Sequence, residues 1–180
     1  MAEDAIPLAS RLCLACGMCC DGTLHDYARL RACDIEPATA VGLPTFNTAD
    51  GLPAMPLPCQ YLDGAACRRY DDWRPSICGE YQCQLQLRAA AGECTEAQAM
   101  DLIASALAAR DRVIEVVAPG TTLTDARKRF GELAASKQAL SPADARLVAR
   151  VFALERVLDP HFRKPGARGL ATSPGTSPND

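Results

Sequence analysis

The sequence predicts an α+β chain in two parts: a small, irregular cysteine-rich domain of short strands and helices over residues 1–93, then a bundle of about three helices over residues 94–162, packed on it. Residues 163–180, rich in Pro, Gly, Ser and Thr, read as a disordered tail. Three observations carry this reading. Eight of the ten cysteines fall in two blocks between residues 13 and 83. Pro44, Pro53, Pro56 and Pro58 exclude a helix from the stretch that leads into the second block. Long apolar stripes at helical spacing begin only after residue 95. At 180 residues and 48% hydrophobic content the chain is long enough to bury a core.

Residues 1–12 offer Ile6, Leu8 and Leu12 for packing without a periodic signal. The first block, C-L-A-C-G-M-C-C, places Cys13, Cys16, Cys19 and Cys20 within eight residues. A helical or turn-like backbone brings the thiols at every third position to one side, and Gly17 permits a tight or left-handed turn. Cys20 points elsewhere, so Cys19 and Cys20 are expected to serve different partners. Thr23 to Leu30 reads as a strand or short helix, and Asp34 to Val41 as a short helix ended by Gly42 and Pro44. Extended segments around an Asp50-Gly51 turn follow.

The second block, residues 58–83, reads P-C-Q-Y-L-D-G-A-A-C-R-R-Y-D-D-W-R-P-S-I-C-G-E-Y-Q-C and supplies Cys59, Cys67, Cys78 and Cys83. Turns are expected at Asp63-Gly64 and Arg74-Pro75, with Tyr61, Tyr70, Trp73 and Tyr81 as an apolar shell. Beyond it, Thr95 and Gln98 form a capping box for a helix over 96–117, with Met100, Ile103, Leu107, Val113, Ile114 and Val117 as its stripe and Pro119-Gly120 as its end. A second helix over 123–138 carries Ala126, Phe130, Leu133 and Ala134 on one face, with Thr122 and Asp125 spaced as a cap. A third starts at Ser141, Pro142 and Asp144, faces Leu147, Val151, Leu154 and Leu158 inward, and is expected to stop at Asp159-Pro160. These faces read as a bundle packed against the cysteine-rich part, with a protein partner as the alternative use.

Thiols packed this densely would cross-link if left free, whereas a soft cation holds several thiolates at fixed spacing. Met1 to Arg11 has Glu3 and Asp4 and neither a basic nor a long apolar stretch, so no secretory signal or membrane span is expected. A cytoplasmic protein is expected, in which metal is favoured over disulfides. Nineteen basic and 22 acidic residues give a net charge of −3, which provides no footprint for nucleic acid or an anionic membrane. Arg68-Arg69 and Arg127-Lys128-Arg129 read as solvated charge. Arg11, Arg68, Arg69, Arg74 and Arg88 are candidates to offset thiolate charge, since four thiolates on a divalent ion leave about −2. His25 reads as a hydrogen-bonding or surface residue and Cys33 as a small buried one. With no nucleophile elbow or phosphate loop, and Glu80 as the one acid beside the thiols, other catalytic routes find little support.

Taken together, C-x2-C-x2-C-C, then P-C-x7-C, R-x-Y before Asp-Asp-Trp, and R-P-x2-C-x4-C resemble the CxxCxxCC family of zinc- or iron-chelating domains, the YkgJ-like cysteine-cluster proteins. The resemblance covers residues 13–83 and leaves out Cys33, Cys94 and the C-terminal helices. It implies metal binding more firmly than an activity. One branch, the flagellin lysine-N-methylases, makes a cluster-dependent protein-modifying enzyme the alternative reading. This chain is short for that branch and lacks G-x-G-x-x-G.

Eight thiolates, from Cys13, Cys16, Cys19, Cys20, Cys59, Cys67, Cys78 and Cys83, suffice for two four-cysteine zinc sites, for two iron–sulfur clusters, or for one closed and one open site. Spacing does not choose between zinc, iron and an iron–sulfur cluster. The triple C-x2-C-x2-C opens like a ferredoxin run, which tilts the reading slightly towards iron.

Overall fold

Gly17 decides where the first helix stops. α1 (Leu8–Cys16) ends in a left-handed residue, Gly17 at φ 65°, whose amide closes on the Cys13 carbonyl at 3.1 Å. A Cβ there would meet the Ala65 Cα at 3.0 Å, so glycine also lets the second cysteine block approach the first. The computed structural model describes residues 6–164. The predicted tail beyond residue 164 lies outside them.

The α+β class stands. Three short antiparallel strands, β1 (Tyr27–Arg29), β2 (Phe46–Asn47) and β3 (Pro53–Pro56), form a sheet in the order β1-β3-β2. Ala28 faces Met55 and Phe46 faces Ala54. The Asp50-Gly51 turn joins β2 to β3, with Gly51 at φ 77°. Between β1 and β2 lies α2 (Ala32–Ala40), which starts two residues earlier than the sequence suggests because Arg31 serves as N-cap and Asp34 Oδ2 accepts from its amide at 3.1 Å. A hairpin of β4 (Leu62–Asp63) and β5 (Ala66–Cys67) turns at Asp63-Gly64. The short α3 (Ser76–Glu80) and α4 (Gln84–Ala90) complete the cysteine-rich part.

Three long helices follow: α5 (Glu96–Ile114), α6 (Leu123–Ala135) and α7 (Pro142–His161). Their N-caps are the predicted ones, with the Thr95, Thr122 and Ser141 hydroxyls accepting from the amides of Gln98, Asp125 and Asp144. Within the bundle α7 packs on α5 and α6, while α1 packs on both α4 and α5. One large core therefore runs from the first cysteine block into the bundle, through Leu12, Met18, Leu85, Ile103, Val113, Leu154, Leu158 and Phe162. A second, smaller core of Leu30, Ala38, Leu43, Met55 and Leu57 lies beneath the sheet.

Several expectations need correction. α5 stops at Ile114 and α6 at Ala135, short of the predicted 117 and 138, and Ile114, placed on the stripe of α5, is exposed. Asp159-Pro160 does not end α7, which runs through Pro160 to His161. A proline in the last turn forfeits one backbone bond, and the amides of Phe162 and Arg163 close on the Leu158 carbonyl at 2.9 and 3.1 Å around it. Arg163, expected to open the tail, is buried at 5% exposure. On α6 the neighbour of Ala126, Arg127, is buried at 5% while Ala134 faces solvent, because Arg127 has a buried acid to meet.

Candidate metal centre

The two cysteine blocks fold onto one another. Seven thiol-bearing residues, Cys13, Cys16, Cys19, Cys20, Cys67, Cys78 and Cys83, line one cavity of about 550 Å³. The eighth, Cys59, is tied to its edge: its amide donates to the Cys20 carbonyl at 2.7 Å. Local structure explains each placement. Cys13 and Cys16 lie one helical turn apart on α1, and the turn at Gly17 brings Cys19 round to them. Cys83 is the N-cap of α4, which packs on α1. Cys67 lies opposite Leu62 in the hairpin, and the Leu62 amide donates to the Cys59 carbonyl at 3.1 Å. Cys78 sits on α3, whose first turn is held by the buried Asp34. The Asp34 Oδ1 accepts from the Ser76 amide at 3.0 Å and its hydroxyl at 2.9 Å.

Gln86 joins two of these thiols. Its Nε2 donates to Cys13 Sγ at 2.9 Å and to the Ala9 carbonyl at 3.1 Å, while its Oε1 accepts from the Cys83 amide at 3.1 Å. Sequence reasoning missed this residue, although Cys83-x-x-Gln86 has the spacing of a capping box.

Burial pushes the thiols up. Cys16 and Cys20 rise to about 12 and Cys78 to about 11, each first through loss of water and then through neighbouring thiols. Cys19 is raised well above its ordinary value by burial and then by Cys83 and Cys16. Cys13, Cys59 and Cys83 rise for the same first reason. Two cations work against this: Arg74 favours the Cys78 thiolate and Lys164 the Cys83 thiolate. Among the five arginines suggested by sequence, Arg11 instead pairs with Glu96 at 2.7 Å, Arg88 with Glu93 at 3.8 Å, and Arg68 donates to the Gln60 carbonyl at 2.7 Å. Arg69 lies over the Tyr61 ring.

His25 lies on the cavity wall with its ring edge-on to Tyr81 at 4.9 Å, and its buried Nε2 has no hydrogen-bond partner. Burial, then Arg163 and Arg127, hold its pKa down, which keeps the imidazole neutral at neutral pH. Cys33 is exposed on α2, not buried as expected, and Cys94 is buried in the large core. Glu80 turns outward to Arg31 at 2.8 Å. All ten cysteines are free.

The segment after the first block is clamped by the bundle. Arg127 donates to the carbonyls of Gly22, at 3.1 Å, and Thr23, and pairs with Glu155 at 2.8 Å. Glu155 also binds Arg163, which pairs with Asp159 at 2.7 Å. Arg110 pairs with Asp21 at 2.7 Å. No sequence pattern announced this network, because its members lie more than a hundred residues from the backbone they hold.

As the side chains stand, no three Cys, His, Asp or Glu among the described residues form a group able to hold a metal ion. The thiols surround the cavity without closing on one point, and rotation about χ1 moves each sulfur while leaving the backbone in place. The donor chemistry fits a soft cation: seven cysteines from two blocks line one cavity, with Cys59 bonded to one of them, and Gln86 already donates to another. No helix among the described residues is long and apolar enough to cross a membrane. Compared with models of protein families, curated proteins and solved structures, the chain matches none.

Proposed function

We propose that the chain is a cytoplasmic metal-binding protein that holds zinc or iron, as ions or as an iron–sulfur cluster, through Cys13, Cys16, Cys19, Cys20, Cys59, Cys67, Cys78 and Cys83. The observation that carries this is the convergence of two cysteine blocks, separated by 38 intervening residues, on one cavity. The entropy cost of closing such a loop grows only slowly with its length, and shared ligation would offset it. Burial raises seven of the thiols, so a cation bound here would have to displace their protons. Metal ions are the expected partners, and the resemblance to YkgJ-like cysteine-cluster proteins agrees with that reading.

The test is metal and acid-labile sulfide content, with an absorption spectrum, on protein purified without oxygen. Iron with sulfide and a broad visible band identifies a cluster. Zinc alone, without colour, identifies closed tetrahedral sites. A chain that takes up neither zinc nor iron with sulfide on reconstitution overturns the proposal.

A further inference from the structure

We propose that the eight thiols form two separate four-thiolate sites, one from Cys13, Cys16, Cys19 and Cys83 and the other from Cys20, Cys59, Cys67 and Cys78. This rests on the metal-binding reading and divides it. Each site takes ligands from both cysteine blocks, and the boundary falls between two adjacent residues.

The backbone sets up the division. Cys13, Cys16 and Cys19 follow α1 and its left-handed end, and Gln86 spans Cys13 and Cys83 through opposite ends of one amide. Cys20 is bonded through its carbonyl to the Cys59 amide at 2.7 Å. Cys59 in turn leads into the hairpin that carries Cys67. Packing divides the thiols in the same way: Cys16, Cys19 and Cys83 belong to the large core shared with the bundle, whereas Cys59 packs against the small core beneath the sheet.

Two paired variants test this: Cys13→Ser with Cys16→Ser, and Cys59→Ser with Cys67→Ser, each purified without oxygen and reconstituted with zinc or with ferrous iron and sulfide. Each pair is expected to keep half the metal of the full chain, and the four-fold variant none. If either pair alone removes all the metal, or neither removes any, the division is wrong. A cobalt(II) titration of the unaltered metal-free chain covers variants that do not fold: thiolate-to-cobalt absorption rising to two equivalents supports two sites, and saturation at one overturns them. A full chain that binds no zinc, cobalt or iron refutes the metal-binding reading itself, which separates that failure from failure of the division.

Discussion

Both ends of the Gln86 side-chain amide are engaged: the two Nε2 contacts and the Oε1 contact lie between 2.9 and 3.1 Å. When Cys13 is a thiolate on a metal, the N–H to sulfur bond becomes charge-assisted and strengthens. Gln86→Leu should therefore weaken zinc binding at the first site about 10- to 100-fold, as loss of an outer-shell partner does. Chelator competition would measure it, and equal loss at both sites would show that Gln86 acts on the fold alone. The thiols themselves predict a pH dependence. Cys16 and Cys20, near 12, and Cys78, near 11, are protonated at neutral pH, so metal uptake must release protons. Affinity should rise with pH across the neutral range and fall in acid. For the metal-free chain, unfolded thiols ionise near the ordinary 9.0 while the folded ones hold their protons, so between pH 9 and about 12 the folded state binds more protons. Stability should fall with rising pH over that window, as urea denaturation at pH 8 and 11 would show.

At the scale of elements, the bundle holds the segment after the first cysteine block through a buried ion network. Glu155, 2% exposed, lies between Arg127 and Arg163, and the two guanidiniums reach the carbonyls of residues 22–24. Glu155→Ala removes the buried acid that both cations share and leaves each only a more exposed one, Asp26 for Arg127 and Asp159 for Arg163, which should cost up to about 3–5 kcal/mol by urea denaturation of the metal-loaded chain. A loss below about 1 kcal/mol, the size of a surface pair, would mean that water already reaches the network. The starts of α5, α6 and α7 were legible because capping residues act within one turn of where they stand. The end of α7 was not, since it depends on burial of Phe162 and Arg163 against distant partners. Likewise Asp34 reads as an ordinary first-turn acid, yet it also caps α3 across 42 residues and so positions Cys78. Burial alone would raise its carboxyl; backbone and hydroxyl bonds from Ser76 and the Arg31 amide outweigh this and lower it. The thiols that converge were legible because the same residue type recurs in both blocks, whereas Gln86, Asp34 and Glu155 are single polar residues with no pattern of their own.

For the whole molecule, the two cores differ in what they need in order to persist. The small core buries five hydrophobic side chains, Leu30, Ala38, Leu43, Met55 and Leu57. Five such side chains are few for the conformational entropy lost in ordering the sheet, the hairpin and α3. Ligation at Cys20, Cys59, Cys67 and Cys78 would supply what burial does not, as in other small domains with too little core. The bundle has long capped helices and a continuous apolar interior that reaches Leu12 and Met18 on its own. Removing the metal should therefore open the molecule unevenly. In amide exchange, β1 to β5 and α3 should lose protection first, α1 and α4 should follow in part, and α5 to α7 should stay slow until global unfolding. Zinc or iron with sulfide, added back, should restore protection in the strands. Equal protection with and without metal would show that the cysteine-rich part folds unaided, and a single uniform loss would show that the two cores form one cooperative unit.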